Sequence, residues 1–125
     1  MVTDSVMEDF KDKTKSELKI TASFAKDAQR ELRKGNYRIA LAQAQEAEIH
    51  IQETKAILKE MNHLSEMERA NNNVRRATVL SREIDEKERE LEELEKQLVQ
   101  VKEAAGKETK PESLKKEEEE SVPKV

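Results

Sequence analysis

His50 and His63 are the two imidazoles in a chain of 125 residues that has no cysteine, so with the carboxylates they define the metal and acid–base chemistry open to it. Glu46, His50 and Glu53 stand at i, i+4 and i+7, which puts them on one face of a helix. Glu60 and His63 repeat the Glu-x-x-His spacing of di-metal bundles, which need two such motifs and two further inward carboxylates from four helices. Here the acidic residues flank apolar seams, and the pattern reads as a solvated polar face. No catalytic, metal-ligating or cofactor-binding residue is assigned. The serines and threonines stand where helix caps are needed, and no Gly-rich phosphate loop exists, so the chain is not expected to be an enzyme.

The elements that would carry these residues follow from composition. Charged residues make up 42% and apolar residues 34%; Phe10, Phe24 and Tyr37 are the aromatics, and there are two Gly and two Pro. Such a chain lacks the turn punctuation of an all-β protein and matches long helices. It can bury a thin aliphatic seam, which makes a partner or self-association a reasonable expectation. The start, "MVTDSVMEDF", lacks the basic and apolar regions of a signal peptide, and no apolar run approaches the roughly 20 residues of a membrane span. A soluble cytoplasmic protein is expected. Net charge is −4, and residues 1–60 balance eleven acidic against eleven basic side chains. Arg75 and Arg76 form only a local basic spot, so nucleic-acid binding is disfavoured.

The fold class expected is all-α, a three-helix bundle built on an antiparallel hairpin. Phe10, Leu18, Thr21, Ala25, Ala28 and Leu32 recur at helical spacing, with Phe24 beside them, and Gly35 is placed to end the helix they define. Capping boxes at Ser5–Glu8 and Thr14–Glu17 leave residues 1–14 as either a frayed segment or a helix extension. Asn36 is placed to cap a second helix carrying Ala40, Ala44, Ala47, Ile51, Thr54, Leu58 and Met61. A capping box at Ser65–Glu68 favours a second turn at 62–65; the triple Asn71–Asn72–Asn73 is the rival break point.

Beyond that turn a heptad repeat places Ala70, Ala77, Ile84, Leu91, Leu98 and Ala105 at one seam position and Asn73, Leu80, Lys87, Leu94 and Val101 at the other. Lys87 is expected to lay its stem on the seam with its ammonium in water. With a turn at 62–65, helix two is about 25 residues and roughly 37 Å long, whereas helix three, about 40 residues, reaches roughly 60 Å. The expected division is therefore a bundle at 15–83, a coiled-coil arm at 84–105 and a disordered charged tail at 106–125. The arm's stripe, Ile84, Leu91, Leu94, Leu98 and Val101, would have no partner in its own chain and is the expected partner-binding site. Glu83, Glu88, Glu90 and Glu95 would repel one another in a parallel dimer. A different protein with a more basic helix is the first candidate partner, and an antiparallel homo-oligomer the second.

The stretch "SFAKDAQRELRKGNYRIALAQAQEA" resembles one tetratricopeptide-type helical hairpin, with Phe24, Ala28, Gly35, Tyr37, Ala40 and Ala47 at that motif's large, small, turn, aromatic, small and small positions. Asp27 and Glu31 depart from it, and no second copy of the hairpin follows. The microtubule-interacting-and-transport type of three-helix bundle shares the hairpin and would imply docking of a partner helix in an interhelical groove. "GNYRIALAQAQEAEIHIQETKAIL" also resembles the central hairpin of HEPN domains. Their ribonuclease members carry an Arg followed, after four to six intervening residues, by a His, and neither His50 nor His63 has an Arg before it at that spacing, so catalysis does not carry over. The function expected is a non-enzymatic protein–protein interaction module. A non-catalytic HEPN-like subunit of a nucleic-acid-processing system is the alternative, and a metal-binding helical bundle the second alternative.

Overall fold

A computed structural model describes residues 4–109 as three helices, α1 (Asp4–Arg33), α2 (Tyr37–Ala70) and α3 (Val74–Thr109), each packed against the other two. The chain is all-α among the described residues, as expected, and α1 takes the helix-extension option for the N-terminal segment. Met7 is buried and Phe10 packs on the core, so burial of these two side chains holds the first turns in helix.

All three helices bury residues at a seven-residue interval: Met7, Thr14, Thr21 and Ala28 in α1; Ala40, Ala47, Thr54, Met61 and Glu68 in α2; Ala77, Ile84, Leu91, Leu98 and Ala105 in α3. A second set, including Leu18, Ala25, Ala44, Ile51, Leu58, Leu80 and Val101, completes the seam. The small residues Ala25, Ala28, Ala40, Ala44 and Ala47 gather at the Gly35 turn, where they let α1 and α2 approach closely. The buried threonines satisfy their hydroxyls on their own helices: Thr14 donates to the Phe10 carbonyl, Thr21 to Glu17 and Thr54 to His50, at 2.7, 2.7 and 2.8 Å.

The second turn lies at Asn71–Asn73, the rival position, and not at 62–65. Ser65 and Glu68, expected to open a helix, are instead buried in the last turns of α2. The Ser65 hydroxyl lies 3.0 Å from both the Ala77 carbonyl and the Ser81 hydroxyl, so it joins α2 to α3. Asn72 takes the left-handed conformation (φ 64) that ends the helix, as Gly35 does at the first turn (φ 83).

The two turns are copies of one another. Gly35 donates to the Leu32 carbonyl and Asn36 to Glu31; thirty-seven residues later Asn72 donates to Arg69 and Asn73 to Glu68. Asn36 does not cap α2 with its side chain as expected; its amide donates back to the Glu31 carboxylate at 2.7 Å. Asn73 does the same to Glu68 at 2.8 Å. The sequence beneath is Glu-x-x-x-(Gly/Asn)-Asn-x-Arg-x-Ala, at 31–40 and again at 68–77. The repeat is confined to the turn and its flanks, which a comparison of whole hairpins does not detect.

Moving the turn by about eight residues removes the projecting arm. α2 has 34 residues and α3 has 36, about 51 and 54 Å. Helix three therefore ends level with the start of α2, where Gln100, Glu103, Ala104 and Lys107 line a depression together with Leu32 and Tyr37. Ile84, Leu91, Leu98 and Val101 are 2–3% exposed within this single chain, and Leu94 is half-buried against the same core. The expectation of an uncovered stripe at 84–105, and of a boundary at 83/84, is corrected: α2 and α1 cover it. The helix also continues past Gly106, because Ala105 remains fully buried there. Of the tail expected to be disordered, residues 106–109 belong to α3 and the rest lies outside the described residues.

Candidate functional site

With the seam consumed internally, the outer face of α2 and α3 is a surface on which exposed apolar side chains stand beside charged ones. Two side-chain ion pairs cross it like rungs: Glu48 with Lys102 at 2.7 Å, and Lys55 with Glu95 at 3.0 Å. The antiparallel register brings these pairs opposite one another, since each rung advances one heptad along α2 and recedes one along α3. Between the rungs lies an open groove of about 490 Å³ whose lining includes Ile49, Ile51, Gln52, Leu98 and Val99. Ile51 and Leu98 are its buried floor, whereas Ile49 and Val99 are each 52% exposed. A second groove of about 590 Å³ continues past the Lys55–Glu95 rung, over Leu58 and Leu91, flanked by Lys59, Glu88 and Glu92.

Around its whole circumference, α3 carries eight acidic and two basic side chains over residues 83–95. Of these, Glu88, Glu92 and Glu95 line the second groove, opposite Lys55 and Lys59 of α2, while Glu83 pairs with Lys11 of α1. Lys87 lies among the acidic residues at the seam, three-quarters buried, with its Nζ 3.9 Å from Glu90, so its stem covers the core while its charge stays with the acidic surface. Exposed ion pairs such as the two rungs contribute about 0–1 kcal/mol each, so they can exchange partners at small cost.

A separate polar cluster joins α1 to α2. His50 Nδ1 lies 2.6 Å from Glu17 Oε2 and 3.7 Å from Glu53 Oε2. Phe24 stacks on the imidazole, with ring centroids 5.6 Å apart and planes 14° from parallel. One ligand-type atom from each of Glu17, His50 and Glu53 falls within 4.8 Å of the other two. The i+3 pair His50 and Glu53 was visible in the sequence, whereas Glu17, thirty-three residues upstream, was not. Its only signal was the seven-residue register that places it beside the α1 seam. Glu46 is exposed and stands outside this group.

The basic spot is partly neutralised: Arg76 pairs with Asp4 across the α1–α3 end of the bundle, and Arg75 is exposed. Tyr37 is half-buried beside Leu32. No helix among the described residues is long and apolar enough to cross a membrane. No family model, curated protein or solved structure matches the chain.

Proposed function

We propose that the chain is a non-enzymatic, cytoplasmic protein–protein interaction module, a coiled-coil-like bundle that holds a basic amphipathic helix of another protein across the outer α2–α3 face. The observation that carries this reading is the pair Ile49 and Val99, half-exposed above the floor of Ile51 and Leu98 and next to the acidic surface of α3. Apolar anchors of the partner would lie in the two grooves, and its lysines or arginines would meet Glu88, Glu92 and Glu95.

A probe with these properties tests it: a labelled 18-residue helix-forming peptide with a leucine stripe and lysine flanks, against a control of equal charge with the stripe scrambled. Fluorescence anisotropy should report saturable binding of the first peptide and weaker binding of the control. Ile49→Ser together with Val99→Ser should weaken the first by at least about tenfold, since each buried aliphatic side chain contributes about 1.5–3 kcal/mol. Equal binding of both peptides, or no effect of the double substitution, would mean that charge alone attracts the probe and that the face is not a docking site.

A further inference from the structure

Glu17, His50 and Glu53 combine three features that a solvated polar face does not need. Their ligand-type atoms converge from two helices, one imidazole nitrogen lies among the carboxylates, and the ring is held by the Phe24 stack. The side chains of Glu17 and His50 are each 21% exposed, while Glu53, at 54%, closes the group from the solvent side.

From this geometry we infer a binding site for a divalent first-row transition ion, held by His50 Nδ1, Glu17 Oε2 and a Glu53 carboxylate oxygen, that braces α1 against α2. Metal–ligand bonds of roughly 2.0–2.1 Å in a tetrahedral set place neighbouring ligand atoms about 3.3 Å apart. The observed separations from Nδ1, 2.6 and 3.7 Å, bracket that value, so the first contact must open by about 0.7 Å and the second close by about 0.4 Å. Glu17 and Glu53 reach the site through two or three rotatable bonds, and neither helix has to move. One imidazole and two carboxylates suit zinc or cobalt(II) better than calcium or magnesium, which take all-oxygen sets. Three protein ligands leave at least one position for water. On binding, the ion takes the Nδ1 lone pair, so the metal-bound imidazole carries its proton on Nε2.

The scaffold fixes both ligand-bearing backbones. Thr21 holds the Glu17 carbonyl and Thr54 the His50 carbonyl, and both hydroxyls are fully buried at the α1–α2 interface. The site is thus built on rigid helix and not on a loop.

The test uses the full chain with Co²⁺ and Zn²⁺ as probes. Titration with Co²⁺ at pH 7.5 should produce visible d–d bands of a low-coordinate ion at one equivalent, displaced by Zn²⁺, and Zn²⁺ should raise the thermal midpoint. Changes to groups beside metal ligands typically cost about 10–100-fold in affinity, so Glu53→Gln, an exposed ligand outside the core, should cost at least as much. His50→Ala should abolish the bands. Circular dichroism of each metal-free variant separates lost binding from lost folding, and Glu53→Gln keeps the test meaningful even if His50→Ala unfolds. A double change of Glu60→Gln with His63→Ala should leave binding intact. A Co²⁺ spectrum that stays that of the hexaaqua ion, or bands that survive in a folded His50→Ala chain, would overturn the assignment.

Discussion

The hydroxyl of Ser65, near the end of α2, lies 3.0 Å from the carbonyl of Ala77, in the first turn of α3. This buried bond ties the last turns of α2 to α3 and so fixes how far α2 extends before the chain reverses. Ser81 lies at the same distance from Ser65, so while Ser65 donates to Ala77 its oxygen can accept from Ser81. Ser65→Ala is expected to destabilise the fold by about 1 kcal/mol, since it removes a buried bond and leaves Ser81 without its partner. Urea unfolding followed by circular dichroism checks this; an unchanged midpoint would show that water replaces the bond at no cost.

The paired turns make an opposed prediction at equivalent positions. Gly35→Ala should cost about 1 kcal/mol or more, because the added Cβ meets no atom within 4 Å and the penalty is that of a left-handed backbone alone. Asn72→Gly should stabilise slightly, since Asn72 bears part of that penalty already. Thermal melts of the two variants should therefore shift in opposite directions.

The α1–α3 contact should respond to alkaline pH. Lys11 Nζ lies 3.0 Å from Glu83 Oε1, and this hydrogen bond, opposed by desolvation and helped by the charges of Glu83 and Glu8, raises the lysine above its ordinary value of 10.5. A group whose pKa is raised on folding adds stability that is fully present below the unfolded value and is lost as pH rises through the folded one. Lys11→Met should thus melt modestly lower than the natural chain at pH 9, with the difference shrinking above pH 10.5. A difference that stays constant across that range would assign the contact to packing of the lysine stem.

Substitutions in the seam should unfold the chain and not merely release a partner. Leu91 and Leu98 are each 2% exposed, and truncating a buried leucine costs about 2–5 kcal/mol. Replacing both with Ser is expected to abolish most helical circular dichroism at 25 °C. Light scattering of the natural chain should give the monomer mass, since its heptad seam is already covered.

The sequence made the helices, the Gly35 turn and the membership of the seam legible, because each rests on local signals: period, caps and a glycine. The length of α2 was not. Ser65-x-x-Glu68 satisfies the capping-box pattern, but Ser65 is buried on the Ala77 carbonyl and Glu68 on the Asn73 amide, partners that local spacing cannot see. From that one turn followed the false arm, since the same five apolar residues read as uncovered or covered according to where α3 begins. The Glu17–His50–Glu53 cluster was half legible for a similar reason: α2 presents His50 and Glu53 in sequence order, while Glu17 arrives only through packing of α1.

The most direct test of the account is where a basic helix touches the folded chain. Amide and methyl chemical-shift mapping by NMR, with the leucine–lysine probe titrated into the isotope-labelled full chain, reads this residue by residue. Perturbations are expected at Ile49, Val99, Glu88, Glu92 and Glu95, with the buried seam residues Leu80 and Ile84, which line neither groove, unchanged. Perturbations centred on that seam, or spread over α1, would contradict the account.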